Sequence, residues 1–228
     1  MISFRAFLTS VFCIAFFCSL STAQDLTKYR DFHLGTTIES VAKQIQMKVS
    51  DARTLHQRPA LIQTLEWYQI GYSDASGKAD SIRTIRFDFY KGDLSKMLVT
   101  YNPAGTEGLT AEDMIEAISA VYGTASKPED SINISNSTAH EDQEKVLARW
   151  EDEQYSYNLI RFSYGHLFGL LAFSKTLDLM ASQASREAER LDTLEAPARE
   201  LARQKKQEED ARTAQESARS TNKPGFHP

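Results

Sequence analysis

The sequence predicts an α+β fold: tandem halves, each a helix followed by antiparallel strands, pack as one body that is followed by a long C-terminal helix. Twice, a threonine with an acidic residue three positions later precedes apolar residues at helical spacing, the pattern of a capped amphipathic helix. Several short runs alternate apolar and polar residues, as half-buried strands do. No glycine occurs between Gly169 and Gly225, where good helix formers dominate.

The first half covers about residues 29–104. Thr36 is placed to cap its helix, and Glu39 completes a capping box. Residues 61–72 are rich in β-forming side chains and predict a strand. A second strand with apolar residues at alternate positions leads into Lys91-Gly92-Asp93, which predicts the turn of a β-hairpin.

The second half covers about residues 105–174 and repeats this order. Thr110 and Asp113 form the capping signal of a helix, and Gly123 is placed to end it. The polar stretch after this helix predicts a loop that contains an edge strand. Three strand-like runs follow, at residues 145–151, 155–164 and 167–174.

Short sequence matches connect the two halves. Ile85-Arg86-Phe87 corresponds to Ile160-Arg161-Phe162, and each segment has a tryptophan upstream, Trp67 or Trp150. An ancient duplication explains these matches. Coincidence explains them as well, because aromatic strands joined by glycine turns resemble one another.

The N-terminal 23 residues have the features of a signal peptide. Arg5 supplies the positive charge, residues 6–20 form an apolar stretch, and Ser21-Thr22-Ala23 offers small residues for signal peptidase. The alternative is an uncleaved membrane anchor, for which the apolar stretch is short. Removing 23 of the 228 residues leaves 205, beginning at Gln24.

Cleavage changes the chemistry available to the chain. Cys13 and Cys18 both lie in the signal, so disulfides, thiolate catalysis and Cys-ligated zinc are excluded from the mature chain. Bulky Phe12 and Phe17 precede these cysteines, so neither lies in a lipoprotein box. Loss of Arg5 takes the net charge from −5 to −6, which argues against nucleic-acid binding. We expect a periplasmic or secreted protein with no transmembrane segment after signal removal.

Residues 175–219 predict a charged helical tail, with residues 220–228 disordered. Apolar residues recur every seven positions at Leu177, Ala184, Leu191 and Ala198, with Met180, Leu194 and Leu201 at the complementary position. Pro197 either kinks the helix or starts a second one. One interpretation is a coiled coil that dimerises weakly or docks on a partner. The other is a solvated helix whose first turns lie on the protein's own sheet.

The sequence carries no recognised catalytic constellation. Its five histidines have no metal-site spacing, and neither a nucleophile elbow nor a glycine-rich phosphate loop occurs. We therefore expect no catalytic residues, no cofactor and no metal site.

Aromatic and arginine side chains on the predicted strands suggest a binding surface instead. Strand alternation prevents all of them from pointing into one core, and Tyr, Trp and Arg are favoured at interfaces. The predicted partner-binding face consists of Trp67, Arg86, Tyr90, Arg149, Trp150, Tyr157 and Arg161. The alternative is that the tail helix covers this side of the sheet.

These patterns resemble a known module. Its signals here are Leu34-Gly35-Thr36-Thr37 followed by Val41, a hairpin with Tyr90, Gly92 and Leu94, and the repeat from Leu109-Thr110. Residues 29–174 resemble the helix-plus-antiparallel-sheet module of the small outer-membrane assembly lipoproteins and the β-lactamase-inhibitor proteins, and also uncharacterised exported bacterial proteins. The resemblance implies a non-catalytic, protein-binding module of the bacterial envelope. The chain departs from it by lacking a lipobox cysteine and disulfides and by adding a helical tail.

Three functional hypotheses follow. The first is an exported, non-catalytic interaction protein that binds another envelope or secreted protein through the aromatic-arginine face or the tail. The second is a small-ligand carrier or hydrolase-like enzyme with a pocket between helix and sheet. The third is a structural protein that self-associates through its tail helix.

Overall fold

Eight strands form one antiparallel sheet, and a long helix leaves its last strand. The structure is a computed structural model that describes residues 25–69, 81–135, 142–165, 167–225 and 227. The predicted signal peptide lies outside these residues. The helices are α1 (Ile38–Gln44), α2 (Pro103–Thr106), α3 (Ala111–Tyr122) and α4 (Lys175–Asn222), with 3₁₀ turns at Val49–Asp51 and Lys223–Gly225. The strands are β1 (Lys28–Tyr29), β2 (Phe32–His33), β3 (Arg53–His56), β4 (Ile62–Tyr68), β5 (Ile82–Tyr90), β6 (Asp93–Tyr101), β7 (Ser131–Asn133), β8 (Gln143–Glu151), β9 (Tyr155–Arg161) and β10 (Phe168–Ser174).

The two halves of the chain contribute equal sets of strands, arranged in opposite order across the sheet. The strand order is β3-β4-β5-β6-β10-β9-β8-β7, so each half contributes four strands and places its last strand at the centre. Strands β6 and β10 pair antiparallel, with Leu98 opposite Leu171 and Val99 opposite Leu170. The prediction of an α+β fold, with helix-then-strand halves packed as one body and a long C-terminal helix, is confirmed.

Local signals predicted several boundaries correctly. Helix α3 begins after Thr110, whose hydroxyl accepts from the Asp113 backbone N–H, while the Asp113 carboxylate accepts from the Thr110 N–H. It ends at Gly123, where φ is +73°, a conformation that glycine adopts without steric cost. Lys91 and Gly92 likewise have positive φ in the β5–β6 turn.

The predicted cap of α1 is wrong by one residue. Thr37, not Thr36, caps the helix, and its side chain accepts from the Ser40 N–H. The Thr36 carbonyl accepts a hydrogen bond from the Leu94 N–H, and Thr37 forms a β-bridge with Asp93. Pairing with β6 therefore keeps the chain extended for one residue longer than the sequence signal predicts.

Helices α1 and α3 cover one face of the sheet, and the first turns of α4 cover part of the other face. On one face, α1 and α3 contribute Val41, Met114 and Ile118 to a core that also contains Phe87 and Leu159 of the strands. We call this the helix-covered face. Alternate residues of the same strands point to the opposite face, where the first turns of α4 pack.

Helix α4 is continuous and longer than predicted. It runs from Lys175 to Asn222 with Pro197 inside it, and a 3₁₀ turn extends it to Gly225. The segment predicted to be disordered, residues 220–228, is therefore helical at its start. Neither glycine nor proline occurs from residue 198 to 223, so nothing in the local sequence ends the helix earlier. None of the helices in the described residues has the length and apolarity that crossing a membrane requires.

Candidate functional site

Three aromatic residues of the predicted partner-binding face lie on the helix-covered face. Trp150 and Tyr157 are opposite each other on β8 and β9, and they are 1% and 0% exposed. The Trp150 Nε1 donates to the Gly123 carbonyl at 2.9 Å, which ties the strand to the end of α3. Trp67 is partly buried against the same core. Trp150 and Tyr157 therefore stabilise the fold and offer no surface to a partner, whereas Trp67 keeps part of its surface exposed.

Two arginines of the predicted face make internal contacts on the opposite face. Arg86 donates to the Ile134 carbonyl at 2.5 Å and lies 3.4 Å from the Asp88 carboxylate. Arg149 donates to the Asn158 side-chain oxygen at 2.6 Å and pairs with Asp130 at 2.9 Å. Their guanidinium groups hold the segment around β7 against the sheet.

The remaining two residues are separate from both groups. Tyr90 is half-buried next to Ala184 of α4, with Ile62 beside it. The exposed Arg161 lies over the Phe168 ring, with its guanidinium carbon 4.5 Å from the ring centroid. The seven predicted residues therefore do not form one exposed face. They are divided between two faces of the sheet, and α4 covers part of the opposite face.

The first part of α4, residues 175–195, is packed on the sheet, and we call it the packed half. Ser174 caps it by accepting from the Leu177 N–H. Small residues, Ala184, Ser185 and Ala188, are buried and allow the helix to approach the strands closely. This arrangement matches the expectation that the first turns lie on the protein's own sheet.

Ion pairs fix both ends of the packed half. Near its start, the Lys96 ammonium of β6 lies 2.6 Å from the Asp178 carboxylate, and both side chains are mostly buried. At its end, Arg58 of the β3–β4 loop pairs with Glu195. The hydrogen bond from Arg58 lowers the pKa of Glu195 and raises the pKa of Arg58. The packed half of α4 therefore crosses the sheet from the end of β10 to the β3–β4 loop.

The rest of α4, residues 196–222, leaves the body, and we call it the projecting half. Its hydrogen bonds and ion pairs join residues of α4 to one another, for example Arg203 to Glu200 and Arg212 to Glu216. Every residue from 201 to 222 is exposed. At 1.5 Å per residue the projecting half is about 40 Å long.

An apolar stripe crosses the junction of the two halves. Leu194 and Leu201 are 63% and 59% exposed, and the exposed Ala198 lies between them. The spacing i, i+4, i+7 places all three on one side of the helix. We call this the Leu194–Leu201 stripe. The sequence placed Leu194 and Leu201 at a heptad position but did not reveal that they face solvent.

A second feature is an open cavity under α3, which lies between helix and sheet, where the ligand-carrier hypothesis expected a pocket. The cavity measures about 390 Å³ and lies between α3, the end of β6 and the β1–β2 turn. Three tyrosines that are distant in sequence meet there, Tyr29, Tyr101 and Tyr122. The other lining residues are Arg30, Ser81, Gly105, Thr106, Leu109, Met114, Ala117, Ile118, Val121 and Leu170.

Burial keeps two of the cavity tyrosines, Tyr101 and Tyr122, in their neutral form. Burial raises the pKa of Tyr101 well above its usual value, and the neighbouring Tyr29 hydroxyl raises it further. Burial also raises the pKa of Tyr122, whose hydroxyl donates to the Lys28 carbonyl at 3.2 Å. These phenols can donate or accept hydrogen bonds, and they do not supply a negative charge.

The described part of the chain contains no group of three or more His, Cys, Asp or Glu side chains arranged to hold a metal ion. No protein-family model, curated protein or solved structure matches the chain. The resemblance to the assembly lipoproteins and β-lactamase inhibitors stays a prediction.

Proposed function

We propose that this protein is an exported, non-catalytic binding module that inserts α4, at the junction of its packed and projecting halves, into an apolar groove of another envelope or secreted protein. The observation that carries this proposal is that α4 leaves the body there with the Leu194–Leu201 stripe exposed. Exposed apolar residues at i, i+4 and i+7 are the anchors by which amphipathic helices dock into grooves.

The packing of α4 favours a different protein as the partner over a second copy. A coiled coil needs apolar core positions sustained over several heptads. The predicted heptad positions 177 and 184 belong to the packed half, where Ala184 is 9% exposed and contacts the body. The exposed apolar residues of the seam are Met180, which is 45% exposed, and the stretch from Leu194 to Leu201, and Glu187 interrupts the series between them. The continuous exposed stretch is therefore little more than one heptad, which is short for stable self-association.

The proposal of export depends on residues 1–23. Expressed with these residues in a Gram-negative host, the protein is expected in the periplasm or medium with Gln24 as its first residue. The intact mass of the recovered protein shows at which residue it begins. A cytoplasmic product that retains Met1 contradicts export.

Partner binding is tested by capture from envelope extract with purified 24–228 protein. The variant Leu194→Glu/Leu201→Glu is expected to reduce the amount of partner recovered at least tenfold, because a charge replaces each apolar anchor. Ala214→Glu/Ala218→Glu is the matched control, since both alanines are exposed on the same helix outside the stripe. A protein ending at Glu195 keeps the packed half and is expected to lose the partner while remaining folded.

Two outcomes contradict the proposal. One is that no protein is recovered by the 24–228 chain. The other is that the same proteins are recovered equally by the stripe variant and by its control. Light scattering is expected to report a monomer, and a concentration-dependent dimer abolished by the stripe substitutions would support self-association instead.

A further inference from the structure

The tyrosine hydroxyls of the cavity under α3 are used within the protein. The Tyr122 hydroxyl donates to the Lys28 carbonyl at 3.2 Å. The Tyr29 and Tyr101 hydroxyls form a hydrogen bond with each other. The Tyr122 ring also packs on the buried Tyr157 ring, with 4.7 Å between the ring centroids. The three lining tyrosines are therefore held in place around the cavity, and their hydroxyls are already hydrogen-bonded.

The polar side chains at the mouth are used in the same way. The Arg30 guanidinium donates to the Ser81 hydroxyl at 3.4 Å, and Arg30 is exposed, so water solvates its charge. The Thr106 hydroxyl donates to the Asn102 carbonyl at 3.1 Å. Among the described residues that line the cavity, each polar side chain thus has a partner in the protein. A charged ligand would lose its hydration there with little compensation.

The rest of the lining is apolar. Met114 and Ile118 of α3 are buried, and Val121 is 69% exposed at the rim. Tyr29 and Tyr101 add aromatic side chains from β1 and β6. The volume of about 390 Å³ falls within the range of small-molecule pockets. The cavity therefore combines the size of a ligand site with walls of aliphatic and aromatic groups.

This lining selects between ligand classes. Aliphatic side chains and hydroxyls that are already bonded favour an uncharged molecule over an ion. Aromatic side chains contact another ring favourably in stacked or edge-to-face arrangements. We propose that the cavity binds a small uncharged aromatic molecule, with its rings between α3 and the tyrosines of β1 and β6.

Two fluorescent probes that share one ring skeleton test the charge preference. N-phenyl-1-naphthylamine is uncharged, and 8-anilino-1-naphthalenesulfonate is the same skeleton with one added sulfonate. Each is titrated into purified 24–228 protein. Saturable one-to-one binding of the uncharged probe, at least tenfold tighter than that of the sulfonate, is expected. Equal or tighter binding of the sulfonate, or no saturable binding of the uncharged probe, overturns the proposal.

A competition experiment tests the preference for an aromatic ring. 2-Naphthol and its saturated counterpart decahydro-2-naphthol are each used to displace the bound uncharged probe. The aromatic competitor is expected to act at a several-fold lower concentration, because only its rings stack on the tyrosines. Equal displacement by the two competitors overturns the assignment of an aromatic ligand.

Matched variants locate the ligand. Ala117→Phe fills the cavity and is expected to abolish binding of the uncharged probe. Ala120→Phe, exposed on the same helix outside the lining, is expected to leave binding unchanged. Binding that is equal in the two variants overturns the proposal, because the probe would then lie elsewhere on the protein.

A second pair of variants guards against misfolding. If Ala117→Phe alters the circular dichroism spectrum, Val121→Asp at the exposed rim replaces it, with Ala120→Asp as its control. A carboxylate at the rim is expected to weaken binding of the uncharged probe at least fivefold, and equal binding in this pair also overturns the proposal. These residues are separate from the Leu194–Leu201 stripe. Failure of ligand binding therefore leaves partner capture by α4 standing, and the reverse is equally true.

Discussion

The two halves of α4 belong to one continuous helix and have opposite surroundings. The packed half contributes buried small residues and three ion pairs to the body, whereas residues 201–222 are exposed throughout. Composition accounts for the difference. Large apolar residues are frequent before Glu195, and Leu201 is the last one in the helix. Burial of an apolar face usually stabilises a helix, so the projecting half depends on local helix propensity and side-chain pairs.

A buried charge is expected to produce the largest difference between the halves. Ala188→Asp places a carboxylate at a position that is 3% exposed, and should reduce the free energy of unfolding by about 3 kcal/mol. Ala202→Asp, at an exposed position in the projecting half, should change it by less than about 0.5 kcal/mol. Urea unfolding monitored by circular dichroism measures both. Similar losses of unfolding free energy in the two variants would contradict the division of α4 into a packed and a projecting half.

The ion pairs of the two halves should differ by a smaller amount. Asp178→Ala leaves the mostly buried Lys96 unpaired and should cost about 2 kcal/mol of unfolding free energy. Glu216→Ala breaks the solvent-exposed pair with Arg212 and should cost less than about 0.5 kcal/mol. Lys96→Met/Asp178→Ala should recover part of the loss, because no unpaired charge remains. A double variant as unstable as Asp178→Ala would contradict this, because it would show that the unpaired Lys96 charge is not a source of the loss.

The smallest expected effect is a pH dependence at the end of the packed half. The hydrogen bond and charge of Arg58 hold the pKa of Glu195 below its ordinary value of 4.5. Because the folded state binds this proton less readily than the unfolded state, the contact stabilises docking above pH 4.5 and is lost as the pH falls through the lowered pKa. The protection of the amides of residues 189–195, measured relative to their intrinsic exchange rate at each pH, should therefore fall on acidification. Glu195→Gln should remove this local loss of protection, and an unchanged pH profile in that variant would exclude the contact as its cause.

The fold was largely predictable because its signals are local. The Thr110–Asp113 capping box, the Gly123 stop and the Lys91-Gly92 turn each depend on neighbouring residues only. The cap of α1 was missed because β6, more than fifty residues later, pairs with Thr36. Long-range pairing overrides a local signal wherever both act on one residue.

The surfaces were less predictable because they depend on register and tertiary packing. Alternation along one strand does not reveal which face that strand turns toward α3, and bulges between Val146 and Ala148 and between Asp88 and Phe89 interrupt the pattern. Trp150 and Arg149 were therefore grouped on one face although they point to opposite ones. A pocket between helix and sheet was one of the hypotheses, but its lining was not predicted, because Tyr29, Tyr101 and Tyr122 meet only after folding.

Hydrogen exchange across α4 in the monomeric 24–228 protein tests the central claim most directly. We predict slow exchange for residues 179–191, close to that of the central strands, and fast exchange for residues 201–220. Mass spectrometry of proteolytic fragments resolves the two segments. Equally slow exchange in both segments would contradict the account, because it would mean that the projecting half is already packed before any partner binds.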